Sequence, residues 1–344
     1  MTMQVFRSVE EIPPGYGPSV VTIGNFDGVH RGHRAVIAQV TERAHSLQAH
    51  SVAVTFDPHP VRVLHPEVPL RLITPLDEKL ALLAETGIDS VLVLPFTHAL
   101  SRLTPQEFAQ KILSGALGAV EVQEGENFRF GADARADVSD LASLGQELGF
   151  EARVHQPTLW RGTAVSSSGV RAAVAAGDMR AARQLLGRPF EIRSTPAPGR
   201  GYGSLYTVPT INLALHDDLL PANGVYVSCL QVNGESFEAV TNVGNRPTFG
   251  HESFAVESHI LNFHPMVLNE QTAMRLRFLD RLRGEKHWPS PEALKEQIMR
   301  DIARTRHYFD LWDVVAGRTS RELPHSSQTA PAGRNRPPGA PVKA

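Results

Sequence analysis

Between residues 20 and 155 short β-rich runs alternate with amphipathic stretches, and beyond Leu185-Leu-Gly-Arg-Pro189 that alternation stops. The runs Val20–Ile23, Ser51–Phe56, Ser90–Leu94 and Ala119–Val122 are apolar enough to be buried on both faces. Arg34–Leu47, Pro75–Glu85, Thr104–Leu113 and Ser139–Leu148 separate or follow them with helical periodicity. Strand–helix alternation at this spacing predicts a doubly wound parallel sheet, whose ligands bind at the carboxyl ends of the strands. The second half reads differently. Thr207–Leu213, Gly224–Leu230, Glu235–Val243, Phe254–Leu261 and Thr272–Leu279 are strands joined by Gly, Pro and Asn turns, with no helix between them. That pattern predicts an antiparallel sandwich or barrel. Ser290-Pro291 then supplies a cap and first-turn proline for a helix reaching about Tyr308.

The expected division is therefore 1–187, 188–311 and a tail over 312–344, each of the first two with its own core. From Gly317 the chain is rich in Ser, Pro, Arg and Gly without an apolar period, and it is expected to be disordered. With 34 Lys and Arg against 36 Asp and Glu, the charge is close to balanced. Nucleic acid and anionic membranes are not expected partners, whereas small anionic substrates need only a local cationic pocket. Cys229 stands alone, which excludes an intramolecular disulfide and a cysteine-based metal cluster, and its apolar neighbours place it in a core strand. The first residues lack an apolar signal core, and no run is long enough to span a membrane, so a cytoplasmic location is expected.

Two turns in the first half carry candidate chemistry. Gly24-Asn-Phe-Asp-Gly-Val-His-Arg-Gly-His33 leaves the first strand and opens the first helix. Glycines admit a phosphate close to the backbone, and the helix start offers unpaired N–H donors. His30 and His33, flanking Gly32, could donate to charge building on a phosphate under attack, with no covalent intermediate. Placement after the first strand favours that role over a polar turn facing water. The second turn is Val165-Ser-Ser-Ser-Gly-Val-Arg171, with hydroxyls, backbone donors and an arginine suited to phosphates; a plain helix cap is the alternative.

In the second half, Thr210 and Asn212 lie two apart on a strand and point the same way, so a hydroxyl and an amide oxygen could complete a magnesium shell. Glu257 and His259 share one face of the next pattern, where a carboxylate could accept a proton from an attacking hydroxyl. A solvated strand face is the alternative.

Gly24–His33, Thr55-Phe-Asp-Pro-His-Pro60, Gly125-Glu-Asn-Phe-Arg-Phe-Gly131, Ser166–Arg171 and Leu185–Pro189 occur in that order. Together they resemble the bacterial bifunctional riboflavin kinase/FAD synthetases, over Val20 to Tyr308. Pro209–Asn212, Leu220–Tyr226, Asn242–Phe249 and Val256–Ile260 are similar to the kinase module of that family. The resemblance implies a Rossmann-like α/β nucleotidyltransferase domain followed by a riboflavin kinase β-barrel with a C-terminal helix. It implies ATP-dependent phosphorylation of riboflavin to FMN and adenylylation of FMN to FAD, with Mg2+ as cofactor and ATP as co-substrate. A monofunctional FAD synthetase with an inactive, flavin-binding barrel is the alternative.

By that resemblance His30, His33 and Arg171 are catalytic in the first module, and Glu257 is the base of the second. Gly24, Phe26, Asp27, Gly32, Ser166, Ser167 and Thr210 would bind ATP and its phosphates. Asp57, His59, Asn127 and Phe130 would bind flavin, and Thr210 and Asn212 would serve the metal. The chain departs from the family pattern at Ser204, which lacks the usual basic side chain, at Thr207 in place of glycine, and over 265–268.

Overall fold

The computed structural model describes residues 2–197, 210–214, 219–246, 253–264 and 266–315. The first sheet is six-stranded and parallel throughout, in the order β1-β4-β3-β2-β5-β6. Its strands are β1 (Gln4–Phe6), β2 (Ser19–Ile23), β3 (His50–Asp57), β4 (Ser90–Pro95), β5 (Ala119–Gly125) and β6 (Glu151–His155). Helices α1 (Arg31–Leu47), α2 (Pro60–Leu64), α3 (Leu76–Ala84), α4 (His98–Ser101) and α5 (Pro105–Phe108) follow in chain order. A π-helical turn, Ala109–Ala116, extends α5, and α6 (Val138–Leu148) precedes β6.

The sheet is buried on both faces, as its unbroken apolar runs require. Val21, Ile23, Val52 and Val54 pack with Phe108, Ile112, Leu113 and Leu141 on one side. Ala53, Val91 and Val93 pack with Ile37, Leu80 and Leu83 on the other. Strand order reverses between β2 and β5, so the crevice at their carboxyl ends is the expected ligand position for this topology. The edge strands β1 and β6 were not evident in the sequence, β1 because it is three residues long and β6 because Glu151, Arg153 and Val154 are exposed.

A short hairpin, β7 (Leu159–Trp160) with β8 (Thr163–Ala164), leads into α7 (Ser167–Ala176) and α8 (Met179–Leu186). The second sheet has seven strands: β9 (Phe190–Ser194), β10 (Pro196–Ala197), β11 (Thr210–Leu213), β12 (Gly224–Val232), β13 (Glu235–Arg246), β14 (Ser253–Ile260) and β15 (Met274–Gly284). It is antiparallel, in the order β10-β11-β14-β13-β12-β15-β9. Its two edges, β9 and β10, are consecutive pieces of chain separated only by Thr195, so the sheet must curl back on itself. Ala214 N–H donates to the Thr195 carbonyl at 2.9 Å, and Ser194 Oγ to the Ala214 carbonyl at 2.7 Å, at that junction.

The final helix α9 (Pro291–Val315) runs past the expected end at Tyr308, since no glycine or proline interrupts it before Gly317. It lays Ile298 and Ile302 on Val225 and Val240 of the barrel. Residues 316–344, where the tail was expected, lie outside the described residues, as do 207–209 of the expected strand.

The apolar core does not divide at Arg188. Val170, Val174, Met179, Ala182 and Leu186 of α7 and α8 join Phe190, Ile192, Tyr226 and Phe278 in one cluster, which also takes in Ile73. Gly177, at φ +75°, ends α7 against the barrel, where an added Cβ would lie 2.8 Å from the Tyr226 hydroxyl.

Candidate active site

β2 delivers the chain into the turn that opens α1. Phe26 and Val29 adopt left-handed dihedrals, φ +45° and +36°, which cost of order 1 kcal/mol each for residues with a Cβ. Both side chains are buried with Ile37 and Leu83, and that packing holds the backbone in place. Gly24 lies against the Phe26 ring, 3.2 Å from where a Cβ would stand.

His30 is the N-cap of α1, and its Nδ1 accepts the His33 N–H at 3.3 Å. A neutral His30 therefore carries its proton on Nε2. The two imidazoles stack at 3.6 Å between centroids, 13° from parallel, and Phe26 meets His33 edge-on at 5.1 Å. Burial pushes His30 down to about 4, against the attraction of Asp27; Arg188 and Arg171 push the same way as burial. Burial, then His30, then Lys79 hold His33 well below the ordinary histidine range. Both are neutral at pH 7, so this turn presents uncharged N–H donors rather than imidazolium cations. Nδ1 of His33 is buried with no hydrogen-bond partner among the described residues.

The serine turn meets this loop directly. An added Cβ on Gly32 would stand 3.2 Å from the His30 ring and 3.3 Å from the Val165 carbonyl, so a side chain there would press the two segments a few tenths of an ångström apart. Ser166 caps α7 by accepting the Gly169 N–H at 3.1 Å, and Ser167 Oγ donates to the Asp27 carbonyl at 2.9 Å. Arg171 forms an ion pair with Asp27 and donates Nε to the Arg71 carbonyl at 3.2 Å. Asp27 also accepts the Ile73 and Thr74 N–H groups, each at 3.0 Å. Asp27 and Arg171 thus tie the two turns together from inside.

The expected flavin residues lie at or follow the carboxyl ends of β3 and β5, the strands on either side of β2. Asp57 closes β3 and is exposed. His59 caps α2, accepting the Val61 N–H at 3.2 Å, and burial pushes it down to about 4. A cavity of about 10 Å³, room for roughly one water, lies between Asp27, Phe56, Asp57, His59, Thr74 and Lys79. After β5, Asn127 is exposed while Phe130 is buried, stacked on Phe128 at 5.4 Å. Phe130 supports that turn, in which Glu126, Asn127 and Arg129 are exposed and Phe128 is half-buried.

In the barrel, strand register brings the second set together. Thr210 pairs with His259 and Asn212 with Glu257 across β11 and β14, while Asn242 pairs with Glu257 from β13. Glu257 thus lies between two amides on one face. Thr210 Oγ1 and His259 Nδ1 are 2.8 Å apart, and burial lowers the His259 pKa against the pull of Glu257. The opposite, interior face carries Ile211, Leu213, Val256 and Ile260. The loop with Ser204 and Thr207 lies outside the described residues, as does Pro265.

The FAD synthetase family model matches residues 14–169 and the riboflavin kinase model residues 186–309. A bifunctional riboflavin kinase/FMN adenylyltransferase of Pseudomonas fluorescens is 37% identical over 306 residues, covering 88% of this chain and 97% of that one. The chain belongs to the bifunctional riboflavin kinase/FMN adenylyltransferase family. The Escherichia coli K12 member is 34% identical over 293 residues, covering 85% of this chain and 93% of its own length. A solved structure described as a macrolide-efflux protein from Streptococcus pneumoniae superposes with TM-score 0.80 at 27% identity, covering 89% of this chain and 99% of that one. The likeness carries the two-sheet architecture. No helix among the described residues is long and apolar enough to cross a membrane.

Two residues near these family motifs were given no role by the sequence. Lys79 sits in the charged run Asp77-Glu78-Lys79, which reads as a solvated helix face, yet Glu78 and Lys79 are buried. His259 was placed beside Glu257 by alternation, but its contact with Thr210 depends on register between strands 49 residues apart.

Proposed function

We propose that this chain makes FMN from riboflavin and ATP on its barrel, and FAD from FMN and a second ATP on its parallel sheet. The observation that carries the reading is the joined pair of turns: the stacked His30 and His33 at the start of α1, locked to the Ser166–Arg171 segment through Asp27. Membership of the family supports both activities, and the proposed units are 1–187 and 188–311.

In adenylyl transfer, an FMN phosphate oxygen attacks the α-phosphorus of ATP, and the bond to the bridging oxygen breaks as pyrophosphate leaves. Charge develops on the α-phosphate oxygens, where the His30 Nε2–H and the α1 N-terminus act as fixed donors. Donors that stay neutral at pH 7 need no counterion and no reorganisation. Gly24, Phe26 and Gly32 shape the turn. Ser166, Ser167 and Arg171 lie along the proposed triphosphate path, and Asp57, His59, Asn127 and Phe130 form the flavin side.

In the kinase reaction, Glu257 accepts the proton of the terminal ribityl hydroxyl as its oxygen attacks the γ-phosphorus and ADP departs. Thr210 and Asn212 offer two neutral oxygens on the same face as that carboxylate, a donor set that fits Mg2+ shared with phosphates and water. The metal, when bound, would neutralise phosphate charge. A cytoplasmic location, where ATP and flavins meet, is part of the same proposal.

Alanine at both His30 and His33 should cut FAD formation from FMN by about 10²-fold or more, with FMN formation from riboflavin retained. Wild-type FAD synthesis by that double variant would remove the first site from the reading.

A further inference from the structure

We propose that Lys79 is a positioning residue for adenylyl transfer, its ammonium joining the phosphate turn after β2 to the end of β3. This deepens the adenylyltransferase reading and rests on it.

Lys79 lies in α3, where its N–H donates to the Pro75 carbonyl at 2.9 Å and its neighbours Leu80, Leu82 and Leu83 are buried in the sheet core. The side chain, 7% exposed, runs inward beneath the carboxyl ends of the strands. Its Nζ donates to the Asn25 carbonyl at 3.1 Å, to Thr55 Oγ1 at 3.2 Å and to the Phe56 carbonyl at 3.5 Å. Asn25 belongs to the turn carrying Asp27, His30 and His33. Thr55 and Phe56 precede Asp57 and His59. Thr55 Oγ1 also donates to the Asn25 carbonyl at 3.2 Å, so the two loops share one small polar knot with the ammonium at its centre.

The partners are all neutral oxygens, and among the described residues no carboxylate lies within ion-pair distance of Nζ. The charge strengthens these hydrogen bonds, but burying an ammonium costs several kcal/mol that a neutral donor in a purely structural staple would avoid. Burial lowers the Lys79 pKa, and only the more distant Asp27 and Asp57 oppose that. A retained positive charge beneath a turn built for phosphates is explained if polyanionic substrates complete its neutralisation. The lysine then does two things at once. It fixes the distance between the ATP-side and flavin-side loops, and it adds attraction for the charge that builds on the phosphates as they react.

The test uses the full-length protein with Lys79→Met, which keeps length and apolar volume, assayed for FAD from FMN and ATP and separately for FMN from riboflavin and ATP. The expected result is a kcat for FAD formation about 10²-fold lower, from misplacement of the reacting groups. KM for ATP should move much less than kcat, and the kinase rate should be unchanged. Lys79→Cys on a Cys229→Ser background, treated with 2-bromoethylamine, rebuilds a lysine-like ammonium with sulfur in place of the γ-methylene and should recover FAD formation. FAD formation by Lys79→Met near the unmodified rate would overturn the proposal. So would equal loss in both reactions with a lowered melting midpoint and no recovery by aminoethylation, which is the signature of a purely structural lysine. If the unmodified protein makes no FAD at all, it is the adenylyltransferase reading that has failed.

Discussion

Glu78 and Lys79 are neighbours on α3 that reach in opposite directions: Glu78 lies 3.2 Å from Arg193 of the barrel, and Lys79 lies 3.1 Å from the Asn25 carbonyl of the phosphate turn. Arg188 adds a second link, donating to the Gly28 carbonyl at 2.9 Å. Burial first, and then Glu191, which Arg277 holds at 2.9 Å, push the Glu78 carboxyl up to about 7. The first turn of α3 therefore touches both modules, and the phosphate turn is braced from the barrel side.

The bracing predicts how the chain responds to division. A fragment ending at Gly187 exposes Val170, Val174, Met179, Ala182 and Leu186, which the barrel now covers. Each large side chain uncovered forfeits about 1.5–3 kcal/mol of burial at most. In urea the fragment should unfold at a clearly lower midpoint than the full chain. Equal midpoints would mean that α7 and α8 do not depend on the barrel.

Asp27 and Arg171 make the second prediction. Asp27→Ala leaves the guanidinium without its carboxylate and two loop N–H groups without an acceptor. Because Arg171 is partly exposed, the cost should fall near the lower end for broken buried pairs, about 3 kcal/mol. Denaturant titration measures it. A change under about 0.5 kcal/mol, the usual range for surface positions, would contradict the geometry.

The histidines of this region give a pH dependence with a definite sign. His30 and His59 are each held at about 4, below the ordinary histidine value of 6.5. Between those values the unfolded chain binds protons that the folded chain does not, so stability falls as pH drops from about 6.5 towards 4. His30→Gln and His59→Gln should each flatten that slope, read as melting midpoint against pH. An unchanged slope in both would show that these rings are protonated in the native protein.

The order of elements was legible because buried parallel strands leave unbroken apolar runs, as in Val52–Val54 and Val91–Leu94. The H-x-G-H turn was legible from its glycines and its place after a strand. What chain order could not reveal was partnership over distance. Asp27 meets Arg171 across 144 positions, an ion pair that neither turn announces by itself. Lys79 was hidden for a different reason: a charged triplet on a helix normally faces water, and here two of its three members are buried by the neighbouring loops and the barrel. The cluster joining α7 and α8 to the barrel was likewise invisible, since each helix alone shows only an ordinary apolar stripe.

For the barrel, Glu257→Gln keeps shape and most hydrogen bonding between Asn212 and Asn242 but removes the proton acceptor. FMN formation should fall roughly 10²–10⁴-fold while FAD formation from added FMN stays intact. Retained kinase activity would place the base elsewhere.

The most direct measurement of the whole account is a time course of the purified full-length protein with riboflavin, ATP and Mg2+, with FMN and FAD separated by chromatography. The account predicts that FMN appears first and FAD follows at its expense. Conversion of added FMN to FAD with riboflavin left untouched would contradict the two-reaction account, as would FMN that accumulates and never becomes FAD.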